Sequence, residues 1–519
     1  MKVNIPKVKK LFIYILVIIL LITLLFRCSV LKKNNDDSED ASVDPGKITI
    51  CAYATKNKNP LLVKSEYNEQ MNFLMYDSLY TVNTNYEAEE NLASGYKIQD
   101  NGRSVIIHLK PNVSFHDGSQ FSAHDVKATI DYLLNNPGYY SYQTRNIQSA
   151  SVVDDHTVRL DLSKLTPNLK LQLTFPIVCK KELLNTTQFK HNGTGPYRMA
   201  SETKGKELVL EQNKKYHRDF QSDIQEIEVS FIPDIETAKA LSGSGIMDIF
   251  YFSFSDEGVK SISKNETHKI DYLTDEYTFL SLNYENSLMK EKAFRKALSY
   301  TVARDTIRDE VFMSHAESTY LPLPPNSWAY NDNKENIRNI DEAKSLLTEL
   351  GFSDVDNNGI IERYEGNEKK ELILNLLTTE DPIKEGICET LTANFKEVGI
   401  SLNVQHVVAE EFQSAIEEKT YDLYLITTNV GYDLDISPFF DGVFKTPLSI
   451  DYDGYLKKFG VSDEMSVKQP EYMRLCDDFY EYMPHIPLVF SKNTMLTSTK
   501  LKTVTQIKPC YYYYEILNQ

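Results

Sequence analysis

Residues 104–134, SVIIHLKPNVSFHDGSQFSAHDVKATIDYLL, are the stretch that decides the fold class of this chain. The apolar residues Val105, Ile107 and Leu109 alternate with other residues, and this period of two predicts a strand with one buried face. Residues 115–118, FHDG, follow as a turn, because glycine adopts backbone angles that other residues avoid. The stretch therefore starts as a strand that leads into a turn.

The same stretch ends as a helix. Ser122 can cap this helix, and Asp125 three residues later completes a capping-box pattern. Val126, Ile130 and Leu133 fall on one helical face, which predicts an amphipathic helix. Strand, turn and helix are thus specified by local sequence alone.

Length and charge limit the class of protein. The chain has 519 residues, of which 41% are hydrophobic and 25% charged, an ordinary globular composition. This length is too great for one core and predicts two or three domains. The net charge of −18 argues against a nucleic-acid partner, because the phosphates would be repelled.

The N-terminus is typical of a targeting segment. Lysines precede an apolar run at residues 11–26, and about 16 apolar residues after a basic flank fit a secretory signal or a short membrane anchor. Cys28 stands where a bacterial lipoprotein would be cut and lipidated. However, Phe26 and Arg27 occupy positions where small residues are expected, so lipidation and an uncleaved anchor both stay open.

We therefore assign residues 1–33 to a signal or membrane anchor. Residues 34–46, NNDDSEDASVDPG, are polar, acidic and rich in turn formers, and they predict a disordered linker because they have almost nothing apolar to bury. The folded body is expected to begin at Lys47.

Strands and helices alternate most clearly between residues 372 and 427. The predicted strands are residues 372–379, 400–404 and 421–427, and the helices between them begin at Asp381-Pro382 and near Phe412. This β-α-β-α-β order predicts a parallel sheet in an α/β fold. Ligands of such sheets bind at the carboxyl ends of strands, so the residues after Thr379 and after Thr427 should border a cleft.

The cysteines and histidines do not form a catalytic or zinc motif. The six cysteines, of which Cys51 and Cys510 would form a disulfide only if the two chain ends meet, include no CxxC pair. The ten histidines form no HExxH motif, and neither a GxSxG elbow nor a P-loop is present. We predict no catalytic residues and no enzyme, with a secreted hydrolase as the less favoured alternative.

Short motifs recur in order along the body of the chain. Besides the opening stretch they are YDSL at 76–79, LA at 92–93, GTGPY at 193–197, SGSGIMDI at 242–249, SLN at 281–283, FRKAL at 294–298, RD at 304–305, YDL at 421–423 and PLV at 487–489. Together they resemble the extracellular solute-binding proteins of family 5, which feed ABC importers for oligopeptides, dipeptides and nickel chelates.

The resemblance implies a two-lobed, periplasmic-binding-protein-like α/β fold of type II, in the large peptide-binding cluster, with mixed sheets and a hinge. Lobe I would comprise residues 47–254 plus 489–519, with an inserted subdomain at about residues 76–190. Lobe II would comprise residues 255–488, which contain the predicted β-α-β-α-β segment.

The function implied by the resemblance is the binding component of an ABC importer. Such a protein captures an extracellular ligand, for which a short peptide is the leading expectation, and delivers it to permease subunits. It would act as a monomer on the outer face of a bacterial cytoplasmic membrane. A nickel-chelate, haem or signalling-peptide binder, and a sensor with the same fold, are the alternatives.

Asp433 is the leading ligand-binding candidate. The resemblance implies that an aspartate here pairs with the amino terminus of a peptide, and a carboxylate in a closed cleft holds an ammonium by charge-assisted hydrogen bonds. Asp435 is the other candidate for this role. The alternative interpretation of Asp433 is a solvated loop carboxylate that binds no ligand. Val430 replaces a tryptophan usual in the family, so the ligand need not be a standard peptide. The candidate ligand residues are Asn429, Gly431, Tyr432, Asp433 and Trp328.

An acidic loop matches the calcium pattern D-x-[DN]-x-[DN]-G-x5-E. Its candidate ligands are Asp354, Asp356, Asn358 and Glu365. However, residues 364–370 are charged and strand-like rather than a second amphipathic helix, so a surface turn is the other interpretation. No cofactor other than calcium is predicted.

Two aromatic features have open roles. Trp328, the only tryptophan, follows a proline-rich connector and would line the cleft or cap a hydrophobic core. Residues 511–514 are four tyrosines, and their strand propensity predicts a C-terminal strand in lobe I.

Overall fold

The structure is a computed structural model that describes residues 46–55, 57–185, 189–253, 267–331, 338–419, 421–440 and 450–518. The predicted signal or anchor at 1–33, Cys28, residues 34–45 of the predicted linker and the lobe boundary at 254/255 lie outside the described residues. Within this part of the chain, no helix has both the length and the apolar character needed to cross a bilayer.

The secondary structure alternates strands and helices along most of the chain. The strands are β1 Lys47–Tyr53, β2 Tyr80–Val82, β3 Ala88–Glu90, β4 Ala93–Gln99, β5 Ser104–Leu109, β6 Ile147–Asp154, β7 Thr157–Leu162, β8 Tyr197–Thr203, β9 Glu207–Gln212, β10 Glu226–Ile232, β11 Ile249–Ser253, β12 Thr267–Leu282, β13 Ala316–Ser318, β14 Glu362–Glu365, β15 Glu368–Glu371, β16 Ile373–Thr379, β17 Ser401–Val407, β18 Leu423–Asn429 and β19 Ile486–Ser498. The helices are α1 Glu66–Met75, α2 Ala123–Asn135, α3 Ser141–Thr144, α4 Leu169–Gln172, α5 Lys180–Leu183, α6 Ile235–Gly243, α7 Lys292–Thr301, α8 Arg304–Thr306, α9 Ile340–Glu349, α10 Pro382–Glu397, α11 Ala409–Glu418, α12 Tyr452–Phe459, α13 Met465–Tyr482 and α14 Tyr512–Leu517.

The opening stretch folds as its pattern predicts. Its first residues form β5, which pairs antiparallel with β4 and β7, and its last residues form α2. Ser122 and Asp125 make the capping box, each side chain meeting the backbone of the other residue. Val126 and Ile130 are fully buried, so the amphipathic face of α2 packs into a core.

The predicted parallel sheet is confirmed, but it is part of a mixed sheet. β16 pairs parallel with both β17 and β18, as the β-α-β-α-β order predicted. The sheet then continues through β12, β19 and β11, which are antiparallel to their neighbours. Smaller sheets form from β1-β10-β9-β8 and from β4-β5-β7-β6. The α/β class with mixed sheets is therefore confirmed.

Two long strands connect two hydrophobic cores. β12 contributes Ile270 to the first core and Leu280 to the second, and β19 contributes Met495 and Ile486 in the same way. The pairing of these strands shifts register between Leu273 and Tyr277, which is the irregularity of a β-bulge. Residues 274–276 therefore leave the regular ladder with β19, while Glu276 stays paired with Asn429 of β18.

The GTGPY motif packs against the C-terminal end of α1. Gly195 N donates a hydrogen bond to Met75 O at 2.9 Å. A Cβ atom on Gly193 would lie 1.9 Å from the same carbonyl oxygen, closer than any side chain allows. The two glycines are therefore required by backbone-to-backbone contact, and the motif fixes the position of α1.

The predicted C-terminal strand is wrong. Residues Tyr512–Leu517 form helix α14, which packs on α1. The amides of Tyr512 and Tyr513 donate to the side-chain oxygen of Gln70, at 2.8 and 3.4 Å, and these contacts start the helix. Tertiary contact thus overrides the strand propensity of tyrosine. Cys51 and Cys510 are both free thiols, so the conditional disulfide does not form.

Candidate ligand-binding cavity

A cavity of about 420 Å³ lies where β12 and β19 pass between the two cores. Its walls come from helix α1, from the α3 and α4 region, from the bulge of β12, from the end of β18 and from the C-terminal segment. The lining residues are Glu66, Glu69, Gln70, Phe73, Tyr139, Tyr142, Gln143, Leu171, Gln172, Thr174, Thr274, Asp275, Glu276, Asn429, Gly431, Tyr432, Asp433, Asn493, Cys510 and Tyr512.

The structure brings four of the five predicted ligand residues to this cavity. Asn429, Gly431, Tyr432 and Asp433 line it, directly after the carboxyl end of β18. Trp328 is not among the lining residues.

Trp328 packs against a hydrophobic core instead. Its ring makes an edge contact with Tyr472, with ring centroids 4.9 Å apart, and its Nε1 donates to the carbonyl oxygen of Tyr86 at 3.0 Å. Of the two roles left open for this tryptophan, the placement fits the core-capping one.

The loop after β18 turns sharply at Gly431. This glycine has φ +73°, and a Cβ atom there would lie 2.4 Å from the ring of Tyr142. The hydroxyl of Tyr142 donates to the carbonyl oxygen of Val430 at 2.9 Å. The left-handed turn and the close tyrosine ring thus require glycine, and they aim the next residues into the cavity wall.

Asp433 is buried and already has partners. Its Oδ2 lies 2.6 Å from Arg145 Nη2 and 2.7 Å from Gln172 Nε2, and its Oδ1 accepts from the Tyr142 hydroxyl at 3.1 Å. The side chain is only 2% exposed. A ligand ammonium would have to compete with a charged guanidinium for this carboxylate.

Asp435 shares the same arginine. Arg145 Nη2 lies 2.8 Å from Asp435 Oδ2, while the other carboxylate oxygen accepts from the Ser437 amide at 3.0 Å and the Tyr452 hydroxyl at 2.9 Å. Burial raises the pKa of Asp433, whereas for Asp435 burial is outweighed by Arg145 and Ser437 and the pKa falls. The two candidate acids therefore form one buried ion-pair cluster with Arg145.

Sequence reasoning missed Arg145, and no local signal could have indicated it. It follows the four-residue helix α3 and lies 288 positions before Asp433. Only the folded chain brings the guanidinium between the two acids.

Four further carboxylates line the cavity, and the sequence did not single them out. Glu66 and Glu69 lie in the first turn of α1, and Asp275 and Glu276 lie in the bulge of β12. Burial raises the pKa of Glu66 to about 7 and that of Glu69 to about 8. Burial also raises the pKa values of Asp275 and Glu276.

The partners of these four acids are uncharged. Glu69 accepts from the Tyr139 hydroxyl at 3.1 Å, and Asp275 accepts from the Asn429 side-chain amide at 2.7 Å. The nearby polar side chains of Tyr512 and Ser491 partly oppose the rise in pKa at Glu66 and Glu276, respectively. Among the described residues, none of the four acids forms an ion pair, so burial is not offset by a positive charge.

The acidic loop converges on a different set of oxygens from the predicted one. Asp354, Asp356 and Glu362 place ligand oxygens within 4.8 Å of one another. The Glu365 carboxylate turns away and pairs with Arg363 at 2.7 Å and Lys370 at 2.6 Å. The physical reason is that hairpin β14–β15 follows the loop, so its alternate side chains face opposite sides.

Calcium binding at this loop stays a prediction, with Glu362 in place of Glu365. One Glu362 oxygen is buried without a partner, which fits a cation, but Lys369 already contacts Asp356. Asn358 hydrogen-bonds through its side-chain oxygen to the Ile360 amide at 2.8 Å. A rise of Tm in millimolar calcium would support an ion site, and an unchanged Tm would support the surface turn.

Comparison with known proteins finds relatives that are described as binding proteins. The oligopeptide-binding protein AppA of Bacillus subtilis is 24% identical over 427 residues, 78% of this chain and 76% of the relative. Heme-binding protein A of Haemophilus influenzae is 24% identical over 352 residues, 61% of either chain.

Solved structures share the fold. NikZ from Campylobacter jejuni, solved in complex with Ni(L-His), has a TM-score of 0.63 at 22% identity and matches 91% of this chain and 98% of its own. HbpA2 from Haemophilus parasuis has a TM-score of 0.75 at 17% identity, with 91% and 99% covered. These neighbours are two-lobed periplasmic binding proteins, which confirms the predicted fold class.

Residues 87–447 match the family described as bacterial extracellular solute-binding proteins, family 5 Middle. The matched segment is more than half of the chain, and it contains the opening stretch, the GTGPY motif and the loop after β18. This chain belongs to the bacterial extracellular solute-binding proteins of family 5.

Proposed function

We propose that this protein captures a short peptide outside the cell and delivers it, unaltered, to the permease of an ABC importer. The observation that carries the proposal is the cavity beside the two long strands that join the cores, with walls from helix α1, from residues 139–143, from the bulge of β12 and from the loop after β18. Its volume of about 420 Å³ falls in the range of about 300–1,000 Å³ usual for small-ligand sites.

The chemistry of the walls favours a peptide over a haem. Phe73 and Leu171 are the hydrocarbon side chains among the lining residues, whereas most of the others carry carboxylates, amides, hydroxyls or phenols. A flat apolar macrocycle would leave many of these polar groups without hydrogen bonds, which costs free energy. The backbone amides and charged ends of a peptide can satisfy them.

The lining also argues against a nickel chelate as the first choice. No histidine occurs among the described lining residues, so a bound chelate would meet only oxygen ligands and one thiol from the protein. The relative AppA is described as an oligopeptide-binding protein, and the neighbour NikZ was solved with Ni(L-His). We take the peptide as the ligand class.

The site of action follows from the N-terminal sequence. Residues 1–33 would hold the protein at the outer face of the membrane as an anchor or lipidated segment, and the acidic linker would let the binding body reach the permease. Ligand binding shifts such a two-lobed body toward its closed form, because the closed form contacts the ligand on both sides.

Native mass spectrometry of the full chain, purified in detergent, tests the proposal. We expect a co-purified peptide to leave the protein on activation, with a mass that does not change during long incubation. Release of a haem or a nickel complex, or the appearance of cleaved products with time, would contradict peptide capture.

A further inference from the structure

The cavity is rich in acidic side chains and lacks basic ones. Five of its lining residues carry carboxylates, and none of the described lining residues is a lysine, an arginine or a histidine. Asp433 is paired with Arg145, so its charge is compensated from behind the cavity wall. Glu66, Glu69, Asp275 and Glu276 have no such compensation within the described structure.

Local structure explains why acids occur at these positions but not why they are buried. Glu66 and Glu69 lie in the first turn of α1, where carboxylates interact favourably with the helix dipole. Such residues are ordinarily solvated. Here Glu69 is only 9% exposed, and its neighbours across the cavity are the like-charged Asp275 and Glu276. Like charges gathered in a cavity destabilise one another unless they bind protons or another cation joins them.

A second observation points to a ligand that donates hydrogen bonds. Gln172 lines the cavity and is 1% exposed. Its Nε2 donates to Asp433 and to Thr166, both at 2.7 Å, while its Oε1 has no partner. The orientation of the amide is fixed, because Asp433 accepts and cannot donate when ionised.

Gln143 adds another acceptor of the same kind. Its Oε1 is buried, has no hydrogen-bond partner and belongs to a residue that lines the cavity. A buried acceptor without a donor costs free energy. The walls therefore present unpaired acceptors as well as uncompensated carboxylates, and a ligand rich in N–H donors would satisfy both.

The spacing of the acids favours an organic cation over a bare metal ion. Among the described residues, no three of these carboxylates come within 4.8 Å of one another, unlike the oxygens of the acidic loop. The acids instead stand on separate walls, α1 on one side and the bulge of β12 on the other. An extended molecule with separated positive groups matches this arrangement better than a single ion.

We propose that the ligand is a basic peptide, which places its amino terminus and a lysine or arginine side chain between Glu66 and Glu69 on α1 and Asp275 and Glu276 on β12. This proposal rests on the proposed peptide-binding function and names its substrate class. One ammonium would neutralise one carboxylate only, so four uncompensated acids call for more than one positive group. The unpaired oxygens of Gln172 and Gln143 would accept from the peptide.

Calorimetry of the full chain with three tripeptides tests this proposal. Ala-Lys-Ala, Ala-Leu-Ala and Ala-Glu-Ala share their termini and length and differ in one side-chain charge. We expect Ala-Lys-Ala to bind about tenfold more tightly than Ala-Leu-Ala, the contribution of one charge-assisted pair, and Ala-Glu-Ala to bind most weakly.

Variants locate the preference in the cavity. In the double variant Glu69→Gln with Asp275→Asn, both peptides should bind more weakly, and the advantage of Ala-Lys-Ala over Ala-Leu-Ala should fall to about twofold because the lysine loses its carboxylate partners. Glu182→Gln is the matched control, because Glu182 is also a buried glutamate with a raised pKa but lies outside this cavity. The control should keep the full preference.

The outcomes separate this inference from the function on which it rests. Equal affinities for the three peptides, or tighter binding of Ala-Glu-Ala, would overturn the basic-peptide proposal and leave peptide capture intact. Absence of binding by all three at millimolar concentration would overturn both. The ranking is measured on the unmodified chain, so it decides the matter even if the double variant does not fold.

Discussion

Replacing Arg145 by methionine should lower the free energy of unfolding by about 3–5 kcal/mol, the cost of leaving buried charges without their partner. The guanidinium lies 2.6 Å from Asp433 and 2.8 Å from Asp435, and each carboxylate is 2% exposed. Methionine keeps much of the arginine stem but no charge, so two buried acids would face each other. Denaturant unfolding followed by circular dichroism measures the loss.

An exposed arginine provides the matched control. Arg159 Nη2 lies 2.8 Å from Asp100 and 2.9 Å from Asp161, the same pairing of one guanidinium with two acids, but at the surface. Arg159→Met should cost much less than Arg145→Met, because water screens an exposed ion pair. Adding Asp433→Asn and Asp435→Asn to Arg145→Met should restore part of the loss. A cost for Arg145→Met as small as that of Arg159→Met would contradict the role assigned to the buried cluster.

The affinity for Ala-Lys-Ala should rise at least about 100-fold between pH 5 and pH 7, tenfold per pH unit for each proton displaced. Burial raises the pKa of Glu66 to about 7 and that of Glu69 to about 8, so both are largely protonated in the empty cavity at pH 5. A cation binds the ionised carboxylates, so binding releases protons and strengthens as pH rises. Calorimetry at three pH values measures the slope.

Other groups that face these glutamates do not reverse the sign. Tyr139 and Tyr140 face Glu69, and Tyr512 faces Glu66, and burial raises the pKa of all three phenols above the range tested. Asp275 and Glu276 also have raised pKa values, so they add to the same trend. Glu66→Gln with Glu69→Gln should flatten the slope. An affinity that is constant with pH, or that grows as pH falls, would contradict the assignment of these acids to the ligand.

The sequence alone predicts those strands and helices that are specified by interactions between neighbouring residues. Strand β5 and helix α2 follow from alternation and from the Ser122–Asp125 capping box, which need no distant partner. The β16 to β18 segment is predictable for the same reason, because each strand and helix shows its own period and its own start or stop signal.

The missed elements depend on contacts between distant residues. Helix α14 begins where two tyrosine amides meet Gln70, about 440 positions earlier, so strand propensity gave the wrong answer. The calcium pattern chose Glu365 by spacing, but a hairpin after the loop brings Glu362 inward instead. In both cases the local pattern is present in the sequence, but contacts with distant residues give the segment a different structure from the one that the pattern predicts.

The candidate site was predictable only in part. The rule that ligands gather at strand ends, together with the family resemblance, led to the loop at 429–433, which does line the cavity. Glu66 and Glu69 have the composition of an ordinary helix start, and a bulge such as the one at Asp275 leaves no trace in the alternation of β12. Their joint presence in one cavity is a property of the folded chain.

Hydrogen exchange of the full chain with and without Ala-Lys-Ala tests most directly the central claim, that a basic peptide is held in this cavity. Three segments that are far apart in sequence line the cavity: α1, residues 274–276 and residues 429–433. The account predicts that exchange slows in all three together and that Glu69→Gln with Asp275→Asn removes most of the effect. Protection confined to one of the three segments, or to the acidic loop at residues 354–362, would contradict it.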